Sequence, residues 1–478
     1  MKSESIRAIG KWVRQNAHIG MVTGLLLLLA TLFAPTALAA TAATGDWPTY
    51  LSDGAHDGYN SVETAINAST APNLKLKWTH TARGGISTQP VEANNLVYWG
   101  SWDGYEHATT LSNGLAWATY LGMTTDTSCN PVTAGVASTT TIDTVNINGV
   151  ATSVDLVGGG DAHFYALNAL TGTVIWRTSL GSSPSHFIWS SPTVYNGSVY
   201  IGVSSFGDCP LVQGQVVMMN ESTGAIQHVF NTVPNGCTGA GVWGAPTIDP
   251  STGWLYFVTG NGGSCGSAEP YGEAMIKLHV ADLSYVTSWQ VPSSQQGFDT
   301  DFGSTPTLFT ATINGVSTPM VGVGNKNGIY YAFNRNLIHQ GPVWEARVAI
   351  SGDCPQCGSG TISPSAFDGQ TLYVAGGHTT INGANCAGGL RAVNPANGSF
   401  IWQHCMSGGP ILGAVSVVPG VVAITEGTYL IVVNATTSAT LFRYNDTGSG
   451  SLFYGSPSIS NGVLYVGNMD HHLYAFMP

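Results

Sequence analysis

Charge is the scarcest commodity in this chain: Asp, Glu, Lys and Arg together make up 8% of 478 residues, and Lys plus Arg number only 14. Four of those basic residues, Lys2, Arg7, Lys11 and Arg14, sit in the first 39 positions, which leaves ten Lys and Arg against 25 Asp and Glu in the remainder. A nucleic-acid role needs clustered cations to neutralise phosphates, so this balance excludes it. Long apolar runs are missing too. After the stretch from Met21 to Phe33 no second one of that length follows, so no membrane span is expected in the mature chain. Neither cysteine spacing is followed by histidine in the CxxCH pattern that attaches haem c, and Cys354-Pro-Gln-Cys357 has no second CxxC to complete a zinc site.

The N-terminus combines those four cations with the Met21–Phe33 run and then Pro35-Thr-Ala37-Leu-Ala39-Ala40. This reads as a secretory signal peptide over 1–39, cut after Ala39, with an uncleaved single-span anchor as the alternative. Export to the periplasm, the cell surface or the medium follows. All eight cysteines lie downstream, and an even number in an oxidising compartment predicts disulfides. Cys354 and Cys357 also suit a redox pair.

What is abundant is a repeat. The stretch Gly158-Gly-Gly-Asp161-Ala-His-Phe-Tyr-Ala-Leu-Asn168-Ala-Leu-Thr171-Gly172-Thr-Val-Ile-Trp176 reads as strand, turn, strand, Thr-Gly turn and a strand bearing Trp. Its ending recurs at Asn394-x-x-Asn397-Gly398-x-x-x-Trp402 and, more loosely, at Asn220-x-x-Thr223-Gly224. Unit openings recur as well, at Gln89-Pro90, Ser191-Pro192, Ala245-Pro246, Thr305-Pro306, Ser363-Pro364 and Ser456-Pro457. Starts roughly 40 to 60 residues apart are the spacing of four-stranded propeller blades. Two gaps hold an extra unit each, one opening near Pro131 and one spanning Ala414 to Tyr444, which brings the count to eight. The fold class predicted is all-β: an eight-bladed β-propeller of four-stranded antiparallel blades over 74–478, after an N-terminal extension over 40–73. The last unit lacks an outer strand, and Leu74-Lys-Leu-Lys-Trp78-Thr-His80 is the segment expected to supply it and close the ring.

This grammar, together with Asp46-Trp47-Pro-Thr-Tyr50, His56-x-Gly58-Tyr59-Asn60 and Lys77-Trp78-Thr79, resembles the pyrroloquinoline quinone (PQQ) dehydrogenases. It is closest to the polyvinyl alcohol dehydrogenase type, without a cytochrome domain. Three segments carry the implied chemistry. Gly241-Val-Trp243-Gly, followed by Thr259-Gly260-Asn261, resembles the stretch that places a tryptophan under the quinone and an asparagine on calcium, so Trp243 is implied as the stacking floor and Asn261 as a Ca2+ ligand. Read by themselves, Trp243 also suits a blade core and Asn261 a turn. Gln296-Gly-Phe298-Asp299-Thr-Asp301-Phe302 resembles the element carrying the catalytic base, which makes Asp301 the base and a metal neighbour; both acids also suit turn caps. Gly324-Asn325-Lys326-Asn327-Gly328 resembles the segment whose basic residue reaches the quinone oxygens, which implies Lys326.

Departures accompany the match. Cys129 stands alone where the family has two adjacent cysteines over the cofactor, and no arginine follows it. Cys209 occupies the column of the calcium-binding glutamate, so Asp208 serves there only with a one-residue shift. The resemblance thus implies an exported quinoprotein that oxidises a small-molecule or polymeric alcohol by hydride transfer to PQQ with Ca2+ assistance. Electrons would go to a separate cytochrome c or another acceptor. The alternative is a non-catalytic propeller that binds a protein or a carbohydrate.

Overall fold

The computed structural model describes residues 45–266, 269–446 and 450–478, and the expected signal segment lies outside them. Successive side chains of a strand point to opposite faces, so a strand buried at every position must be covered on both. Leu372–Gly376 and Val421–Glu426 are buried throughout, whereas the outermost strand Leu115–Tyr120 hides only Trp117. Inner strands are therefore sandwiched between neighbouring sheets, and outer strands face water.

Eight antiparallel blades of four strands result, over 91–120, 141–179, 193–231, 247–290, 307–347, 366–406, 416–445 and 458–477, the third joined also by the two-residue strand His186–Phe187. The eighth takes its outer strand from Lys75–Thr81, which pairs with His472–Met477 from Lys75 opposite Met477 to Thr81 opposite His472. The ring closes as expected. Its second blade opens at Thr141, ten residues later than the sequence suggested, because the segment around Pro131 belongs to a small hairpin, Thr124–Thr125 against Thr133–Ala134.

The repeated residues act between blades. Four docking indoles donate from Nε1 to the carbonyl just after the asparagine of the next unit: Trp117 to Ala169 at 2.8 Å, Trp176 to Glu221 at 3.0 Å, Trp344 to Pro395 at 2.9 Å and Trp402 to Ala435 at 2.9 Å. The second residue of the turn must be glycine for two reasons. Gly398 has φ +73°, and a Cβ there would lie 2.5 Å from the Trp344 ring. Nearer the axis, hydroxyls at the blade openings form a second ring of bonds, from Thr141 to the Pro192 carbonyl, Thr193 to Pro246 and Thr247 to Pro306, at 2.9, 2.5 and 2.6 Å.

One end of the axis is sealed by a strap, residues 46–60. Trp47 and Glu92 exchange two backbone bonds, Ile142, Ile248, Leu308 and Phe367 donate to the carbonyls of Pro48, Gly54, Ala55 and Asp57, and Val417 donates to Gly58. Asn60 reaches the Ile459 carbonyl. The strap thus ties the innermost strands of seven blades, and its own Trp47, Leu51 and His56 are fully buried. Access to the axis is left to the opposite end.

Candidate active site

Each blade is entered by a short segment that runs down the axis before its inner strand begins. These segments enclose a cavity of about 140 Å³, lined among others by Trp243, Trp189, Gly303, Leu412 and Tyr454, with Tyr50 of the strap reaching it. Gly303 has to be small, since a Cβ would lie 2.0 Å from Cη2 of Trp243.

Above this cavity the turns of the fourth and fifth blades converge. Asn261 follows the strand Trp254–Val258, and Lys326 occupies the hairpin between Val316–Gly324 and Ile329–Asn334. Backbone bonds bring these turns together: Lys326 N donates to the Asp301 carbonyl at 3.0 Å, Gly260 N to Gly241 at 2.8 Å and Ala240 N to Asn261 at 2.6 Å. As a result the Lys326 ammonium lies 2.7 Å from Asp301 Oδ1, 3.0 Å from Asp299 Oδ1 and 5.1 Å from the centre of the Trp243 ring. Asp301 Oδ2 accepts a bond from Asn261 N at 3.2 Å. A Cβ at Gly260 would lie 2.9 Å from that same oxygen, so glycine there makes room for the carboxylate. Asp301, Lys326, Asn261 and Trp243 form one cluster.

Asp208 is more peripheral. It is exposed on the rim, takes a left-handed φ of 57° and accepts a bond from Ser205 Oγ at 3.1 Å. Its neighbour Cys209 is bonded to Cys129, so the column that the resemblance assigns to glutamate holds a bridge. That bridge packs with Phe187, Phe206, Trp102 and Trp189 in the wall beside the cavity. The other cysteines pair as 237 with 265, 354 with 357 and 386 with 405. Cys237, Cys265 and Glu269 lie close enough to suggest a metal cluster, but both sulfurs are spent in a disulfide.

Burial in the cluster pushes Asp301 up to about 6, against the opposing pull of Lys326. For Lys326 burial works against the charged form, and the two carboxylates beside it outweigh burial and raise its pKa. Sequence reasoning missed one member and undervalued another. Glu273, which precedes the buried strand Ala274–His279, is raised to about 7 by burial and then by the charges of Asp301 and Asp299, and its Oε2 is buried with no hydrogen-bond partner. The available signal was an acid directly ahead of an apolar run, the same pattern that marked Asp301. Phe298, beside Asp299, is 87% exposed. Asp299, expected at most as a turn cap, is a direct partner of the lysine.

Residues 185–347, which include every member of this cluster, match the family model described as glucose/ethanol/alcohol dehydrogenase, beta-propeller domain. A polyvinylalcohol dehydrogenase from Pseudomonas sp is 21% identical over 70% of this chain, and the match spans 56% of that protein, little more than half its length. A second, from Sphingopyxis sp. (strain 113P3), is 23% identical over 84% of this chain and 69% of its own. The fold is similar to that of quinohemoprotein alcohol dehydrogenase from Comamonas testosteroni, with a TM-score of 0.69 at 19% identity over 92% of this chain and 82% of that one. Residues 185–347 thus match the alcohol dehydrogenase propeller model, and the chain as a whole is similar in sequence to polyvinylalcohol dehydrogenases and in fold to a quinohemoprotein alcohol dehydrogenase.

Proposed function

We propose that this protein is an exported quinoprotein that oxidises an alcohol or polyol with PQQ as acceptor and a Ca2+ ion in the site. The observation that carries the reading is the Asp301–Lys326 pair set beside Asn261 and over the face of Trp243. The donor set fits both groups. A broad indole face with an ammonium above it suits a flat, anionic quinone. Oxygen donors from Asn261, Asp301 and Asp208 suit a hard cation, and the unpartnered Glu273 Oε2 adds an oxygen that a cation would satisfy. When bound, PQQ supplies a two-electron acceptor and Ca2+ a Lewis acid.

The chain's own residues do the rest. Asp301 Oδ1 is held by Lys326, while Oδ2 accepts a single long bond and keeps a lone pair for a substrate hydroxyl. With a pKa of about 6 it is ionised at neutral pH and still basic enough to take the hydroxyl proton. Lys326 keeps its proton and so presents a fixed positive charge next to oxygens that gain charge on reduction. The strap covers the far end of the axis, so substrate and solvent would share the opposite one. Electrons would leave to a separate cytochrome or another carrier.

A second reading, a propeller that binds a partner without chemistry, is favoured by one observation: Asp208, Asp299, Asp301 and Glu273 surround a single ammonium, an unfavourable field for a tricarboxylate. Titrating the purified cofactor-free chain with PQQ, with and without Ca2+, separates the two. The enzyme reading expects stoichiometric, calcium-dependent binding that weakens in Asn261→Ala and Lys326→Ala. Absence of binding at high micromolar PQQ overturns it.

A further inference from the structure

The Cys354–Cys357 bridge has a position that the proposed chemistry does not use. It closes the smallest loop of the four, three residues apart against 19, 28 and 80, so the chain-entropy contribution of the bond is the least. In each of the other bridges one cysteine is buried, with Cys129, Cys237 and Cys386 exposing 4 to 8% of their surface. Here neither is: Cys357 is exposed and Cys354 half-buried, in a single helical turn on the surface of a glycine-rich loop.

That loop braces the cluster. Gly352 N donates to the Lys326 carbonyl at 3.1 Å, Thr361 N to the Asn325 carbonyl at 3.3 Å, and Gly360 N returns to Ile350 at 2.6 Å. Gly360, at φ +66°, lies so close to the lysine that a Cβ would meet the Lys326 carbonyl oxygen at 2.3 Å. The bridge itself clips the loop together with Ser359, whose backbone N donates to the Cys354 carbonyl and whose hydroxyl accepts from Cys354 N.

We propose that Cys354–Cys357 is a thiol-exchangeable disulfide, a reversible redox modification site whose opening loosens the brace on Lys326. The thiolate of a dithiol reductant attacks the exposed Cys357 sulfur, the sulfur–sulfur bond breaks, and Cys354 leaves as a thiolate that takes up a proton. The second thiol of the reductant then attacks the mixed disulfide and releases Cys357. Two electrons and two protons pass to the pair, and the reductant becomes a disulfide. Without the clip the loop over 350–361 is held by its backbone bonds and the hydroxyls of Ser359 and Thr361 alone.

The test uses the native exported chain and dithiothreitol. Graded reduction, alkylation and peptide mass spectrometry should find Cys354 and Cys357 labelled at roughly tenfold lower dithiol than any of the other six cysteines. Amide hydrogen exchange on the selectively reduced protein should speed up at Gly352 and Gly360 while blades one to three stay protected. The Cys354→Ser/Cys357→Ser variant, if it melts cooperatively, should show the same fast exchange without reductant; the reduced native protein supplies that measurement if the variant does not fold. Labelling of another pair first, or unchanged exchange at Gly352 and Gly360 after reduction, overturns the proposal.

Discussion

Asp155 and Glu106 are fully buried acids whose charges interact between the first and second blades, and among the described residues no cation pairs with either. Both oxygens of Glu106 and Oδ2 of Asp155 lack a hydrogen-bond partner, while Thr140 donates its hydroxyl to Asp155 Oδ1. Burial lifts Asp155 from an ordinary 3.8 to about 7, and burial followed by the charge of Asp155 lifts Glu106 well above its usual range. Because the folded pKa is the higher one, the folded chain binds a proton that the unfolded chain releases. Stability from this source is fully present below about pH 4 and is lost as pH rises through about 7. Between pH 5 and pH 8 the loss from Asp155 alone is roughly 3 kcal/mol. Asp155→Asn keeps an oxygen for Thr140 and cannot ionise. Its absolute stability changes with how the new amide is satisfied, so the slope against pH is the quantity to read. Urea unfolding followed by tryptophan fluorescence at pH 5, 6, 7 and 8 should give a wild-type stability that falls with pH and a variant that falls by about 3 kcal/mol less. A flat wild-type profile, or equal slopes in the two proteins, refutes the assignment of a buried, proton-holding pair.

Gly260→Ala should push the Asp301 carboxylate from its place without straining the backbone; the expected result is a kcat for alcohol oxidation lower by roughly 100-fold in steady-state assays, with little change in urea stability. Gly398→Ala forces a left-handed alanine into the Trp344 ring and should destabilise by about 2 kcal/mol or more, read from the urea midpoint. Trp47→Ala empties a fully buried site in the strap and removes the indole bond to Gln89; a loss of about 3 to 5 kcal/mol is expected, with faster hydrogen exchange in the inner strands of the blades it ties.

The blade architecture was legible because its determinants repeat locally. Trp176, Gly224 and the turn at Asn220 serve one docking contact, and the same contact returns at every blade that keeps the triplet. A degenerate unit such as 416–445 still shows the apolar run of its middle strands. Where the rule relied on proline alone it slipped, at Pro131, because that proline lies in the small hairpin, while the second blade opens at Thr141, whose hydroxyl reaches the Pro192 carbonyl.

What the sequence by itself determined is therefore the all-β ring, its eight units, the closing role of Lys75–Thr81 and the order of the residues around the axis, since each follows from periodicity or from an unpaired edge. The tertiary structure alone decided the rest. Asp299 and Asp301 share Lys326 from positions 27 and 25 residues away, Cys129 finds Cys209 across 80 residues, and the strap reaches Ile459 from Asn60 across 399. No period links such pairs. They meet because ring closure brings the entry segments of all the blades to one axis, where low dielectric and close approach turn scattered polar residues into a single coupled site.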